Sequence, residues 1–152
     1  MTIRSLWAIG SKVADPLAEA AFFEALGAER RSVDRRGDDV VVFMTLGGVG
    51  FHLTNRLRYE TGTAPSDRSD GSPGLAHFVL DVTDMTVLAD RAVALGATQV
   101  HPRLHLAAAH GEMKAAFLKS PGGIRFQMVE RLREADADYA KSYKGPSERV
   151  IG

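Results

Sequence analysis

The chain repeats itself. Asp15 opens a segment from Pro16 to Leu26 that ends in Gly27 and Ala28, and Asp84 opens another that ends in Leu95, Gly96 and Ala97, an offset of 69 for both landmarks. Further on, the run Gly47 to Leu53 (GGVGFHL) returns as Gly122 to Met128 (GGIRFQM) at an offset of 75. A repeat of this length constrains the architecture before any single element is assigned, because each copy must form the same supersecondary unit. The growth from 69 to 75 needs six extra residues in the second copy, expected in the loop around Pro102 to Gly111, where insertions cost little.

Each copy spells one strand, one helix and three strands. An apolar run (Ile3 to Val13; Leu75 to Val82) reaches an aspartate suited to accept from the open amides of a first helical turn, and Pro16 fits the first helical position. Ala18, Phe22 and Leu26, like Leu88, Ala92 and Leu95, are spaced to put an apolar stripe against a sheet. Glycine at 27 or 96 supplies the left-handed stop. Three β-prone runs follow in each copy, at about 29–34, 40–46 and 49–55 and again at about 97–103, 112–119 and 124–132. The expected fold is therefore α+β, with two βαβββ modules forming a curved mixed sheet with helices outside. One domain spans 1–132, with module 1 at about 1–60, a Gly/Ser/Pro/Asp-rich linker at 61–73 and module 2 at about 74–132. Residues 133–152 are polar and read as a short helix and a frayed tail.

Composition excludes several functions. Nineteen basic residues balance nineteen acidic ones, which argues against a nucleic acid or an anionic membrane surface as partner. Without cysteine, any metal must be held by nitrogen or oxygen. The first ten residues carry one positive charge and no long apolar run, so they read neither as a signal peptide nor as a span, and the expected location is the cytoplasm.

Strand alternation assigns faces. Trp7, Ile9 and Val13 are expected under the first helix, leaving Ala8, Gly10 and Lys12 on the opposite side. In the second copy Ala76, Phe78, Leu80 and Val82 go under the helix, and His77, Val79 and Asp81 oppose them. Phe51, Leu53, Phe126 and Met128 pack inward, so His52 and Gln127 share the second face. Ala8, His52, His77 and Gln127 thus converge on one helix-free cleft. Lys12 and Asp81 are cleft-facing charges, either paired or contacting a ligand. Arg56 and Tyr59, just beyond the strand of His52, and His110 at the cleft mouth complete the candidate ligand contacts. Glu130 belongs to the opposite face, and His101 and His105 read as solvent-exposed.

The duplicated βαβββ pattern, the run GLAHFVLDVTD and the ending AFLKSPGGIRFQMVE resemble the vicinal oxygen chelate superfamily, which includes glyoxalases, extradiol dioxygenases, epimerases and bleomycin-binding proteins. The resemblance covers roughly residues 3 to 132. It implies a divalent ion, zinc, nickel, manganese or iron, held by His52, His77 and Gln127, with Ala8 at a fourth position that cannot ligate. It implies a small-molecule substrate and a homodimer whose clefts are completed across subunits. Two readings follow: a lyase or dioxygenase acting on a substrate chelated through neighbouring oxygens, or a metal-free protein that sequesters a ligand. A degenerate module that binds only a partner protein is the third. No catalytic residue is assigned, since neither Ala8 nor Gln127 can serve as a base.

Overall fold

Apolar runs that end in an aspartate start each half of the molecule. In the computed structural model, which describes residues 2–55, 74–121 and 123–152, the first module consists of β1 (Ile3–Lys12), α1 (Pro16–Ala25), β2 (Glu29–Arg36), β3 (Asp39–Leu46) and β4 (Val49–Thr54). The second consists of β5 (Gly74–Val82), α2 (Met85–Ala94), β6 (Thr98–Ala108), β7 (Gly111–Lys119) and β8 (Arg125–Glu134), followed by α3 (Ala137–Ser142) and β9 (Ser147–Val150). The linker at 61–73, Arg56 and Tyr59 lie outside the described residues. Asp15 caps α1 by accepting from the amides of Leu17 and Ala18, both at 3.1 Å. Asp84 caps α2 from a left-handed conformation, φ 50°, and Glu130 adds a second carboxylate on the Met85 amide at 2.9 Å.

Among the described residues nine strands form one sheet in the order β2-β3-β4-β1-β5-β8-β7-β6-β9. Within each module the first and last strands are parallel neighbours, β1 with β4 and β5 with β8, and the two modules join through antiparallel β1 and β5. At that junction Ala8 faces Val79 and Gly10 faces His77. The repeat offset of 69 carries Ala8 onto His77 and Gly10 onto Val79, so the two pairs exchange and a pseudo-twofold axis runs between them.

Each helix covers its own module on the outer face. Ala20 packs on Val40, Val42, Met44 and Leu53, and Met85 and Ala89 pack on Val82, Ala116, Leu118 and Met128. A third core cluster on the other face, including Ala8, Phe43, Val79, Leu104, Phe117 and Val129, draws on strands from β3 to β6. Those two strands stand second and eighth in the sheet order, so side chains of one cluster meet only because the sheet curls upon itself.

Several expectations are corrected. The α1 stripe is Leu17, Ala20 and Phe23, whereas Phe22 and Leu26 are 57% and 70% exposed. Ala and Phe recur so densely in this helix that periodicity alone gives the wrong phase. Leu88 and Ala92 pack as expected, but Leu95 lies beyond the last turn of α2 and is exposed. A register shift in β1 between Leu6 and Ala8 reverses the alternation there and brings Trp7 to the concave side, where it meets Phe43. The extra residues of the second copy lengthen the β6–β7 hairpin, which absorbs Pro102 in a register shift between His101 and Leu104.

The largest correction concerns residues 135–151. The expected frayed tail is ordered as α3 and β9, and β9 pairs with β6 from Leu104↔Val150 to Ala107↔Ser147. Its side chains then reach the far edge of the sheet. The Tyr143 hydroxyl donates to Asp34 on β2, and Arg36 donates to the Pro146 carbonyl at 3.3 Å and pairs with Glu148 at 3.6 Å. The other Asp34 oxygen accepts from the Ala109 amide at 2.9 Å. This strap ties the two sheet edges together within one chain. Among the described residues no helix is long and apolar enough to cross a membrane.

Where β1 and β4 pass, Gly50 leaves no room for a side chain, because a Cβ would lie 2.7 Å from the Trp7 carbonyl and 2.8 Å from Phe43. Gly50→Ala is expected to destabilise the fold by about 1–3 kcal/mol, since a backbone oxygen cannot step aside. Urea denaturation checks this through a lower midpoint with an unchanged slope.

Candidate functional site

Curling brings the concave faces of both modules around one cavity of about 160 Å3. Its walls are Val41, Leu106, Met113 and Phe117, and its hydrogen-bonding groups include His52, His77, His110, Gln127 and Ser11. Asp34, Arg35, Arg36 and Asp39 from β2 and β3 line it where Pro146 and Ser147 of the strap cross.

Strand pairing sets the imidazoles. Gly10 lies beside His52 on β4 and beside His77 on β5. A Cβ on Gly10 would fall 2.6 Å from the Cε1 and Nε2 atoms of His77, so the missing side chain is what lets that ring lie over β1. His52 meets Trp7 edge-on at 5.9 Å and His110 at 4.9 Å between ring centroids, and His110 stacks on Phe43 at 4.7 Å. His110 is therefore inside the cavity wall rather than at its mouth. Two bonds hold the turn that carries it: the Ala109 amide to Asp34, and the Tyr139 hydroxyl donating to the Ala108 carbonyl at 2.7 Å.

Burial holds His52 and His110 neutral. The pKa of His52 is pushed well below 6.5 by desolvation and then by the neighbouring His110 and His77. That of His110 falls to about 4 through desolvation, against an upward pull from Asp34. Burial raises Tyr143 above the usual tyrosine range, and its hydrogen bond to Asp34 raises it further.

The remaining expected residues sit elsewhere. Ala8 is fully buried in the dry core beside Val79 and Phe43 and does not line the cavity. Ser11 takes the lining position expected of Lys12, because a second register shift falls between Gly10 and Ser11. Asp81 is 1% exposed and pairs with Arg4 at 2.7 Å and Arg131 at 2.7 Å, not with Lys12. Glu130 lies on the outer face, as alternation required. His105 is half-buried against Glu112 at 2.6 Å and Arg149 at 3.0 Å, and the ring of His101 approaches Phe117 edge-on. Alternation missed Trp7, Phe43 and the strap: the first was hidden by a bulge, and nothing in the strap's composition signals a docking surface.

The donor set bears on the implied divalent ion. His52 Nε2 is neutral, shut off from solvent and without a hydrogen-bond partner, and His77 and Gln127 line the same cavity. In donor type and number these residues fit an ion held by two imidazoles and an amide oxygen. They bring no negative charge to it, and among the described residues no three His, Asp or Glu side chains converge as a metal cluster.

A family model described as a glyoxalase-like domain matches residues 8–129. No curated protein sequence matches the chain. Among solved structures, a hypothetical protein from Bacillus halodurans C-125 is similar with a TM-score of 0.66 at 16% identity, over 87% of this chain and 97% of the other. Methylmalonyl-CoA epimerase from Mycobacterium tuberculosis is similar with a TM-score of 0.60 at 18% identity, over 86% and 93%. A Streptomyces coelicolor methylmalonyl-CoA epimerase variant in complex with 2-nitronate-propionyl-CoA gives 0.62 at 15% identity, over 86% and 96%. At these identities the likeness is one of fold.

The depressed histidines make stability depend on pH in a defined direction. An unfolded chain takes up protons on these rings below about 6.5, while folded His110 resists until about 4. Their contribution is complete above pH 6.5 and is lost as pH falls through that window, at up to about 1.4 kcal/mol per pH unit for each ring. Denaturation midpoints between pH 7 and 4 should therefore fall less steeply in His110→Phe than in the unaltered protein.

Proposed function

The chain belongs to the glyoxalase-like domain family, within the vicinal oxygen chelate superfamily, and on that premise we propose that it is a small-molecule binding protein whose cavity encloses its ligand through neutral contacts. One observation carries this reading: the cavity has apolar walls, hydrogen-bonding side chains at its depth of which His52 and His110 are held neutral by burial, and an edge supplied by the chain's own strap. Such a site suits sequestration, because apolar contact supplies affinity and a few polar groups fix orientation. Ala8 supports it further, since the repeat position that would complete a four-ligand set is packed into dry core. The epimerase neighbours are solved with CoA esters, and a cavity of about 160 Å3 has room for no more than the acyl end of such a molecule.

A second reading, the metal-dependent lyase or dioxygenase, is favoured by the orphaned Nε2 of His52. An unpartnered buried polar atom costs about 1–3 kcal/mol, which an ion would offset. His52, His77 and Gln127 would hold it, and the ion would supply Lewis acidity toward a chelating substrate. On the protein's side, burial would keep the His52 lone pair available and the strap would narrow the entry of water.

Metal analysis separates the two. Protein purified without chelators is expected to carry far less than one divalent ion per chain, with a melting temperature unmoved by EDTA. A stoichiometric ion that disappears in His52→Ala would transfer the assignment to the metal reading.

A further inference from the structure

Resting on the small-molecule reading of the same cavity, we propose that Pro146 and Ser147 of the strap set the size limit of the ligand, and that the part enclosed is a single small uncharged ring. The volume decides the size. An apolar cavity of about 150 Å3 holds one benzene, and here about 160 Å3 is available. A fused two-ring system does not fit unless a wall moves.

The strap is the wall that could move. The β strands that carry Val41, Met113 and Phe117 are bonded on both sides within the sheet, whereas Pro146 precedes β9, which pairs with β6 alone. The position of Pro146 and Ser147 is nonetheless fixed from three directions. Ahead of them the Tyr143 hydroxyl is bound to Asp34, the Pro146 carbonyl itself accepts from Arg36 at 3.3 Å, and Ser147 is in register with Ala107. The family match ends at residue 129, so this limit belongs to a segment outside the shared domain.

Charge decides the chemistry. The groups at the depth of the cavity are the imidazoles, Gln127 and Ser11, with no lysine or arginine among them to meet an enclosed carboxylate. The charged residues at the strap end are two acidic and two basic, Asp34, Asp39, Arg35 and Arg36, which balance. An anionic ring would lose its hydration with no matching charge, while a hydroxylated ring can exchange its water for Gln127 or Ser11. Ser11 Oγ is buried without a hydrogen-bond partner.

Titration calorimetry with phenol, 2-naphthol and benzoate tests the assignment. The unaltered protein should bind phenol at least about tenfold more tightly than either of the others. Pro146→Gly should admit 2-naphthol and close that gap. Ser147→Leu, which places a larger side chain at the strap end of the cavity, should weaken phenol binding at least about tenfold with an unchanged circular dichroism spectrum. Equal binding of phenol and 2-naphthol by the unaltered protein overturns the size limit, and benzoate binding as tight as phenol overturns the uncharged class, both leaving the cavity as a binding site. If Pro146→Gly does not fold, retention of phenol by folded Ser147→Leu overturns the role of the strap. No binding of any probe removes the small-molecule reading itself.

Discussion

A sheet with helices on one face only has a second face that water must not be left to cover. In this molecule that constraint shapes everything else. The helices α1 and α2 both lie outside, so Phe43 on β3 shares a core with Leu104 on β6 and Phe117 on β7 only across the curl. Curvature then gathers the concave residues of two modules around one volume, and the pairing of β1 with β5 determines which of them meet. The cavity is the space that curling leaves where side chains stop short of one another.

Duplication is exact in topology and broken in chemistry. Under the pseudo-twofold the pair Gly10 and His77 corresponds to Val79 and Ala8. One member of each pair is small and the other fills the space above it, yet one side holds an imidazole and the other a valine. His52 and Gln127 are related in the same way. The hydrogen-bonding wall is consequently lopsided, with histidines toward one side and an amide toward the other. Asp81, buried between Arg4 and Arg131, closes the neighbouring end by charge pairing, with Arg131 also standing 5.8 Å over the Trp7 ring.

Much of this was legible in the residues. The repeat gave two βαβββ modules in one curved mixed sheet with helices outside, because each copy of one pattern must form the same unit. Alternation located His52, His77 and Gln127 on the cavity wall and Glu130 off it, since β4, β5 and β8 keep a strict period of two at those positions. It failed in β1, where the shifts around Trp7 and Ser11 each displace a side chain by one place, and a bulge leaves no reliable mark in composition. Helix phase failed in α1 for a different reason: a helix rich in Ala and Phe offers more than one apolar stripe, and only the sheet beneath selects among them. The strap was illegible because its attachments are single polar bonds to residues far away in the chain.

That distance has a consequence for how the molecule is assembled. Tyr143 and Asp34 are separated by 109 positions, whereas the hairpins of each module close over a few residues. Closing so long a loop is entropically costly until both modules are already paired, so the clasp belongs to the end of the folding reaction. Until then the strand edges of β2 and β6 are open and the imidazoles are wet and free to take up protons. Folding in mildly acidic conditions would therefore be slowed at its last step, where cationic rings must shed their protons before the strap can shut over them.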